Sequence, residues 1–272
     1  MATLEIGTRD AIYYEYSPPS DVSGCTFVFV NALTSDTGAW TSVITPGLRQ
    51  AGHGFLVYNL RGQTYSPFSP ELKFTPDLIV QDMIRLLEEV KPARPVLVGL
   101  SIGGLFAARA WLNGAEALGL VLINTLRKDG PRLKWLGDAL VRAAEVGGLD
   151  LFRDLFLPLL MNQEWLETNR ANFLNPKPDY SPLPATAGHF KLLAEAGRDA
   201  DWDLPYERMT LPVLVVTGLQ DHVFLETDVV EDLFSQLPNA RRVDMPDAGH
   251  LIPAERPEAL TDALLAFAKV VS

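Results

Sequence analysis

The chain has 272 residues, of which 47% are hydrophobic and 21% are charged, and its formal net charge is -11 at pH 7. This composition predicts a folded protein, either one large domain or a domain with an insertion, and argues against a disordered chain. The negative charge argues against nucleic acid or an anionic membrane as a partner, because most of the surface would repel a polyanion. Small molecules and proteins remain as partners.

The single cysteine and the first residues of the chain indicate its cellular setting. Cys25 has no second cysteine to pair with, and its place in the apolar run "CTFVFV" predicts a buried thiol. The segment "MATLEIGTRD" lacks the apolar core of a secretory signal, and the chain has no run of about 18 uncharged apolar residues. We therefore expect a cytoplasmic protein that does not insert into a membrane.

Short apolar segments alternate with longer segments of helical periodicity along most of the chain. The strand candidates, in chain order, are "IYYEY", "CTFVFV", "GFLVYNL", "VLVGL", "LGLVLIN", "PVLVVTG" and "ARRVDM". The helix candidates that follow strands are "AWTSVITPGLRQAG", "TPDLIVQDMIRLLEEV", "GGLFAARAWLNG", "TDVVEDLFSQL" and "RPEALTDALLAFAKVV". Several strand candidates are apolar on both faces, as central strands of a parallel sheet are. The alternation predicts right-handed crossovers and a parallel sheet covered by helices on both faces.

One region interrupts this alternation. Between residues 126 and 206 we find no strand candidate, only the helical segments "RLKWLGDALVRAAEV", "LDLFRDLFLPLLM", "EWLETNRANFL" and "TAGHFKLLAEAG". The alternation resumes after Pro212. We therefore predict a core formed by residues 1–125 and 207–272, with residues 126–206 inserted as a helical cap.

The segment "GLSIG" lies where the strand candidate "VLVGL" meets the helix candidate "GGLFAARAWLNG". It matches the G-x-S-x-G nucleophile elbow, in which small residues flank the serine because strand and helix nearly touch. Such a turn raises the hydroxyl of Ser101 above the sheet, beside the N-terminus of the helix. By composition alone the pentad would occur in about one in ten chains of this length, so its position between strand and helix is the stronger signal. A serine in a tight connection without chemistry is the alternative.

A serine nucleophile needs a base, normally a histidine that a carboxylate orients. The four histidines are His53, His189, His222 and His250. His250 lies in the loop between the last strand and the last helix, at the sheet edge where such folds place working groups. We predict that His250 is the base. His53 is expected at the surface, and His222 directly follows Asp221, so the two side chains point in different directions.

Asp221 is the predicted carboxylate. It lies in the loop after the next-to-last strand, which gives the chain order Ser, Asp, His. Asp247 is the nearest competitor, but its place three residues before His250 is more typical of a turn residue. The end of the preceding strand, the other place for the acid, carries Asn124, which cannot supply a charge.

Four segments together resemble the α/β-hydrolase superfamily: "GLSIGG", "TGLQDHVF", "AGHLIPAERPE" and "VFVNALTSDTGAW". The similarity covers essentially the whole chain outside the insertion. It is to the group that contains 3-oxoadipate enol-lactonases, small carboxylesterases and cofactor-free haloperoxidases. It implies an α/β-hydrolase fold, with a mostly parallel eight-stranded sheet flanked by helices and a helical cap. It also implies a catalytic triad of Ser101, Asp221 and His250.

The resemblance also implies an oxyanion hole. Many relatives have His-Gly at the positions of Asn31 and Ala32, and the residue after the glycine gives a backbone N–H to the oxyanion hole. The lactonase branch, like this chain, carries Asn in place of the histidine. Leu33 and Ile102 are then the two backbone donors. An ordinary helix-entry loop is the alternative for this segment.

The loop "NLRGQTYS" departs from the Asp-x-x-Gly-x-Gly-x-Ser pattern of many relatives, because Asn59 replaces the acid and Thr64 replaces a glycine. That loop helps to shape the pocket, so the departure affects the substrate more than the reaction. The candidates for lining the substrate pocket are Asn31, Arg61, Phe156, Leu160, Trp165 and His189. For Arg61 a structural role is favoured over binding of a substrate carboxylate, and for His189 a helix-surface role is favoured.

These observations predict a serine hydrolase that cleaves an apolar carboxylic ester or lactone through an acyl-enzyme intermediate. We expect no metal and no cofactor, because the four histidines and one cysteine form no cluster with ligand spacing. A thioesterase, acyltransferase, carbon–carbon bond hydrolase or perhydrolase on the same triad is the first alternative. A non-catalytic ligand-binding protein is the second, because fold does not fix function. The sequence leaves the oligomeric state open, with a homodimer as one option.

Overall fold

A computed structural model describes residues 2–271 of the chain. The strands are β1 (Ala2–Glu5), β2 (Ala11–Ser17), β3 (Thr26–Val30), β4 (Gly54–Tyr58), β5 (Pro95–Leu100), β6 (Gly119–Ile123), β7 (Val213–Gly218) and β8 (Ala240–Met245). In the described range they form one eight-stranded sheet in the order β1-β2-β4-β3-β5-β6-β7-β8. β2 pairs antiparallel with β1 and β4, and the remaining neighbours are parallel.

The described residues also form helices. They are α1 (Gly38–Thr41), α2 (Thr45–Gln50), α3 (Pro76–Val90), α4 (Ile102–Leu112), α5 (Pro131–Leu160), α6 (Gln163–Phe173), α7 (Gly188–Lys191), α8 (Thr227–Gln236), α9 (Ile252–Glu255) and α10 (Pro257–Val271). A π-helical turn, Leu192–Gly197, continues α7, and a 3-10 turn, Tyr206–Arg208, precedes β7.

Two apolar clusters, one on each face of the sheet, form the core. In β3, Phe27 and Phe29 belong to one cluster, while Val28 and Val30 belong to the other. This division follows from the strand geometry, because successive side chains point to opposite faces. Helix α4 is buried along most of its length, since the sheet covers one side of it and α3 the other.

The predicted mostly parallel sheet with flanking helices and a helical insertion is confirmed, and all seven strand candidates form strands. The strand β1 was not predicted, because most of its residues are exposed and no apolar run marks this edge strand. Within residues 2–271 no helix has both the length and the apolar character needed to cross a membrane.

The cap, residues 126–206, contains α5, α6, α7 and the π-helical turn, and no strand. Two separate helical segments were predicted where α5 runs, and their boundary is a break at Gly147 and Gly148. Gly148 has a φ of 65°, and a Cβ there would lie 2.2 Å from the carbonyl oxygen of Ser181. Glycine is needed because any side chain would collide with this backbone. The domain boundaries at 125 and 206 remain predictions.

Candidate active site

Ser101 lies in the turn between β5 and α4, with a φ of 57° and a ψ of -124°. A non-glycine residue keeps such angles only where the surrounding structure holds it there. The flanking glycines permit the strand and the helix to approach closely. A Cβ on Gly99 would lie 2.3 Å from the backbone of Gly103, and a Cβ on Gly103 would lie 2.3 Å from the carbonyl oxygen of Val30. Both glycines are therefore required for the turn that carries Ser101.

His250 and Asp221 form a buried pair at the carboxyl end of the sheet. His250 Nδ1 lies 2.6 Å from Asp221 Oδ2. The other carboxylate oxygen accepts hydrogen bonds from the backbone N–H groups of Val223, at 3.0 Å, and Phe224, at 2.9 Å. An N–H donated from Nδ1 to the carboxylate leaves Nε2 as the basic nitrogen of His250.

The pKa of Asp221 lies below its usual value. Burial by itself raises the pKa of this carboxyl, but the charge and hydrogen bond of His250, the N–H of Phe224 and the guanidinium of Arg127 together favour the carboxylate more strongly. Asp221 is therefore an anion at neutral pH and can stabilise a protonated imidazole.

A buried carboxylate fixes the loop that carries His250. Glu255 Oε2 accepts hydrogen bonds from the N–H groups of Gly249, at 2.8 Å, and Asn162, at 2.6 Å. Its Oε1 accepts from the N–H of Leu251 at 2.9 Å. Gly249 and Leu251 flank His250, and Asn162 belongs to the cap, so Glu255 joins the histidine loop to the cap.

Asn124, which directly follows β6, forms hydrogen bonds with the same loop. Its side-chain amide donates to the carbonyl oxygens of Gly249, at 3.1 Å, and His250, at 2.8 Å. Its Oδ1 accepts from the N–H of Gly218 at 2.8 Å. Asn124 thus connects the end of β7, from which Asp221 follows, with the histidine loop.

The hydroxyl of Ser101 contacts a buried arginine that the sequence analysis did not single out. Arg127 Nη2 donates a hydrogen bond to Ser101 Oγ at 3.1 Å and another to the carbonyl oxygen of Asn124 at 2.6 Å. Among residues 2–271, no hydrogen bond joins Ser101 Oγ to His250. Hydrogen bonds between catalytic groups often form only in the substrate complex. Donation from Arg127 occupies a lone pair of the hydroxyl, so its proton remains for His250 to accept.

A cavity of about 330 Å³ lies over Ser101 and His250, which both line it. This volume is in the range of small-molecule sites. Leu33 and Ile102 also line the cavity. The N–H of Ile102 is at the first position of α4 and has no partner inside that helix. The N–H of Leu33 donates to no backbone acceptor within the described range. Neither N–H group is thus engaged in a backbone hydrogen bond within residues 2–271, and their role as oxyanion donors remains a prediction.

The three apolar pocket candidates, Phe156, Leu160 and Trp165, pack in one apolar cluster between the cap and the loop after β7. Of the three, Leu160 lines the cavity, and Phe156 and Trp165 do not. The apolar wall is formed mainly by Leu133, Leu140, Leu149, Phe152, Leu157 and Phe173.

Asn31 and His189 are not among the residues that line the cavity. Asn31 is fully buried; its amide donates to the carbonyl oxygen of Tyr58 at 2.9 Å, and its Oδ1 accepts from the indole N–H of Trp40 at 2.8 Å. It therefore anchors the loop that leads to Leu33. His189 lies half-buried in α7, and burial lowers its pKa although the charge of Asp36 opposes this effect.

Arg61 also lies away from the cavity lining. Its guanidinium bonds both carboxylate oxygens of Asp82, at 2.7 and 2.8 Å, and one of Asp10 at 3.1 Å. Burial raises the pKa of Asp82, and Arg61 partly offsets this effect. The favoured structural role of Arg61 agrees with these ion pairs, which tie the loop after β4 to α3.

Arg127 is the main feature of the site that sequence reasoning missed. The sequence does contain a feature that points to Arg127. This residue follows the end of β6 in "VLINTLR", and folds of this kind bind ligands at the carboxyl ends of their parallel strands. The sequence could not reveal that β6 lies directly beside β5, which carries Ser101.

Comparison with known proteins addresses the fold and the family of the chain. A model of the alpha/beta hydrolase family matches residues 27–263. The chain is 23% identical over 249 residues to 3-oxoadipate enol-lactonase 2 of Acinetobacter baylyi, with 89% of this chain and 88% of the relative covered. The solved structure of MGS-M2, an alpha/beta hydrolase enzyme from a Medee basin deep-sea metagenome library, has a TM-score of 0.82 and 21% identity over 98% of this chain and 96% of that chain.

A thermophilic esterase from Thermogutta terrifontis has a TM-score of 0.79 and 23% identity, with 99% of this chain and 97% of that chain covered. The resemblance read from the motifs is thus confirmed at the level of the family. Because the family model spans most of the sequence, the chain belongs to the alpha/beta hydrolase family.

Proposed function

We propose that the protein is a serine hydrolase that cleaves a carboxylic ester or lactone through an acyl-enzyme intermediate, with Ser101, Asp221 and His250 as its triad. One observation carries this proposal. A strained serine in a glycine-flanked turn shares a cavity with the histidine of a buried His–Asp pair. The enol-lactonase and esterase relatives support an ester or lactone as the substrate class.

The proposed reaction has two halves. Ser101 Oγ attacks the carbonyl carbon while His250 Nε2 takes the hydroxyl proton, and Asp221 stabilises the imidazolium. His250 gives this proton to the leaving alcohol oxygen as the ester bond breaks. Water then attacks the acyl-enzyme, with His250 again as the base, and the acid product and the free serine are released.

The tetrahedral intermediates of both halves carry a negative oxygen. The N–H groups of Leu33 and Ile102 are proposed to bind it, and removing one such donor typically costs roughly 2.7–4 kcal/mol of transition-state stabilisation. Helix α4 begins at Ile102, so the partial positive charge at its N-terminus also stabilises a negative oxygen beside Ser101.

The apolar wall of the cavity supports a substrate with an apolar acyl or aromatic part. Leucine and phenylalanine side chains of the cap form most of this wall. They offer no hydrogen bonds to a sugar, and burial of apolar surface contributes about 25 cal/mol per Å² to binding. Short acetate esters should therefore be poorer substrates than longer or aromatic esters.

A fluorophosphonate probe tests the proposed nucleophile directly, because it forms a covalent bond with an activated serine. The wild-type protein should be labelled at Ser101, and Ser101→Ala should be unlabelled and should lose p-nitrophenyl ester hydrolysis by a factor of about 10⁶. Ser235→Ala is a matched control, since the exposed hydroxyl of Ser235 donates to the carbonyl oxygen of Asp232 and makes no other hydrogen bond within residues 2–271. Near-native turnover of Ser101→Ala would contradict the assignment.

The fate of the acyl-enzyme separates hydrolysis from acyl transfer. Added alcohol or amine competes with water for the intermediate, and the product ratio reports which acceptor the site favours. We expect the free acid as the main product at millimolar acceptor concentrations. A dominant ester or amide product would instead assign the protein to the acyltransferases.

A further inference from the structure

The cavity contains a buried cation that the triad does not require. Arg127 lines the cavity beside Ser101 and is only 6% exposed. Its guanidinium lies between two rings, 4.6 Å from the centroid of Trp202 and 4.4 Å from that of Phe224. The aromatic faces stabilise the charge and fix the plane of the guanidinium.

The hydrogen-bonding capacity of this guanidinium is mostly unused. Its two hydrogen bonds, to Ser101 and Asn124, both come from Nη2. Within residues 2–271, Nε and Nη1 have no acceptor, and no carboxylate oxygen forms an ion pair with Arg127. Burial lowers the pKa of Arg127 to about 10, although the charge of Asp221 opposes this effect, so the group is cationic at neutral pH. A buried charge outside an ion pair is unfavourable, and buried arginines are normally paired.

The charges around the cavity favour an anion. The chain as a whole has a net charge of -11, yet the residues that line the cavity include two arginines and no aspartate or glutamate. The second arginine, Arg153, is half-exposed and forms an ion pair with Asp150 at 3.1 Å. Arg127 is therefore a cation next to the nucleophile that forms no direct ion pair in the described structure, although the charge of Asp221 is close enough to raise its pKa.

We infer that Arg127 binds a carboxylate of the substrate, so that the preferred substrate is an ester or lactone bearing a free carboxylate near its scissile carbonyl. Charge-assisted hydrogen bonds from a guanidinium to a carboxylate are strong, and Nη1 of Arg127, whose two hydrogens have no acceptor within residues 2–271, is free to donate them. Arg127 takes no part in making or breaking bonds, and its role is substrate selection. This inference depends on the proposed function, because it assigns the substrate class of the same site.

The position of Arg127 limits where that carboxylate stands in the substrate. Nη2 is 3.1 Å from the oxygen of Ser101 that attacks the carbonyl. With hydrogen bonds of about 2.8 Å, a carboxylate bound to Nη1 lies roughly 4–6 Å from the attacked carbon. That distance corresponds to two to four bonds, as in half-esters of small dicarboxylic acids and in lactones with a short carboxylate side chain.

The test uses two esters of the same shape and different charge. Monoethyl succinate carries a carboxylate where ethyl 4-methylpentanoate carries two methyl groups. The wild-type kcat/KM for the half-ester should exceed that for the neutral ester at least tenfold. Arg127→Met should reduce this ratio at least tenfold, mainly through the KM of the half-ester, and Arg127→Lys should restore part of it. Arg142→Met removes an exposed arginine of α5 and should leave the ratio unchanged.

Binding of succinate to the Ser101→Ala protein provides a readout that does not depend on turnover. Calorimetry should detect succinate binding that is lost in the Ser101→Ala, Arg127→Met double variant. A wild-type preference for the neutral ester, or no succinate binding, would overturn the inference even if Arg127→Met failed to fold. Failure of the proposed function is a separate result, because Ser101 would then stay unlabelled by the fluorophosphonate whichever anion binds.

Discussion

Glu255 offers a quantitative test of how the histidine loop is held. Its buried carboxylate accepts hydrogen bonds from the N–H groups of Asn162, Gly249 and Leu251. Glu255→Ala leaves these three donors without an acceptor, and a buried unsatisfied donor costs about 1–3 kcal/mol. Removing the buried charge itself offsets part of this cost. We therefore expect the free energy of unfolding to fall by about 3–5 kcal/mol, a large part of the 5–15 kcal/mol typical of a native protein.

Thermal unfolding measures this change. For a chain of this size, 1 kcal/mol corresponds to about 2 °C in Tm, so Glu255→Ala should lower Tm by about 6–10 °C. Its kcat should fall as well, since two of the three donors flank His250. Glu255→Gln keeps one acceptor oxygen and should show a smaller loss of both quantities.

Glu164→Ala is the matched control. This glutamate also bonds across the cap boundary, to Arg256 at 2.5 Å, but its side chain is 74% exposed. Exposed ion pairs contribute about 0–1 kcal/mol, so its Tm should change by no more than about 2 °C. If Glu255→Ala shifted Tm no more than Glu164→Ala does, the reasoning about the buried donors would be refuted.

Other substitutions test the remaining parts of the structure. Gly103→Ala should disrupt the turn around Ser101 and abolish activity, because the new Cβ would lie 2.3 Å from a carbonyl oxygen. Gly137→Ala should instead raise Tm by about 1–2 °C, because a Cβ at this helical position has no atom within 4 Å and alanine is the better helix former. Asp221→Asn should lower kcat by about 10⁴ with a p-nitrophenyl ester. Since the folded-state pKa of Asp221 is lowered, its stabilisation is complete above the unfolded pKa of about 3.9 and is lost as pH falls through the folded-state pKa. Asp221→Asn should therefore flatten the acid side of a plot of Tm against pH, and an unchanged slope would count against the pair. Arg61→Met should lower the free energy of unfolding by about 3–5 kcal/mol, because it leaves the carboxylate of Asp82 buried and unpaired, while KM should stay the same.

The comparison of Arg61 with Arg127 shows where sequence reasoning about the site failed. Both arginines follow a strand closely, and nothing in the sequence separates them. Arg61 follows β4, which lies two places from β5 in the sheet, whereas Arg127 follows β6, directly beside β5. Arg61 forms ion pairs with Asp82 and Asp10, which are distant in the sequence, and Arg127 forms no ion pair within residues 2–271.

The apolar residues of the cap show a second case in which the sequence alone could not place side chains at the site. Helical periodicity predicted its helices and the break between the two halves of α5, because both depend on neighbouring residues and on glycine. Leu160 and Phe156 were equally good candidates for the pocket, yet only Leu160 borders it. Periodicity identifies an apolar face, but the packing of the cap on the core decides which part of that face remains open.

The sequence by itself determined all the strands except β1, the fold family and the turn around Ser101, because these depend on local periodicity and on glycines that leave room for a close backbone contact. It also identified His250 and Asp221, whose side chains form the buried pair. The tertiary structure decided which charged and polar groups stand beside the nucleophile. Strand order and cap docking bring together residues far apart in the chain, and those long-range contacts place Arg127 next to Ser101 and Arg61 among carboxylates.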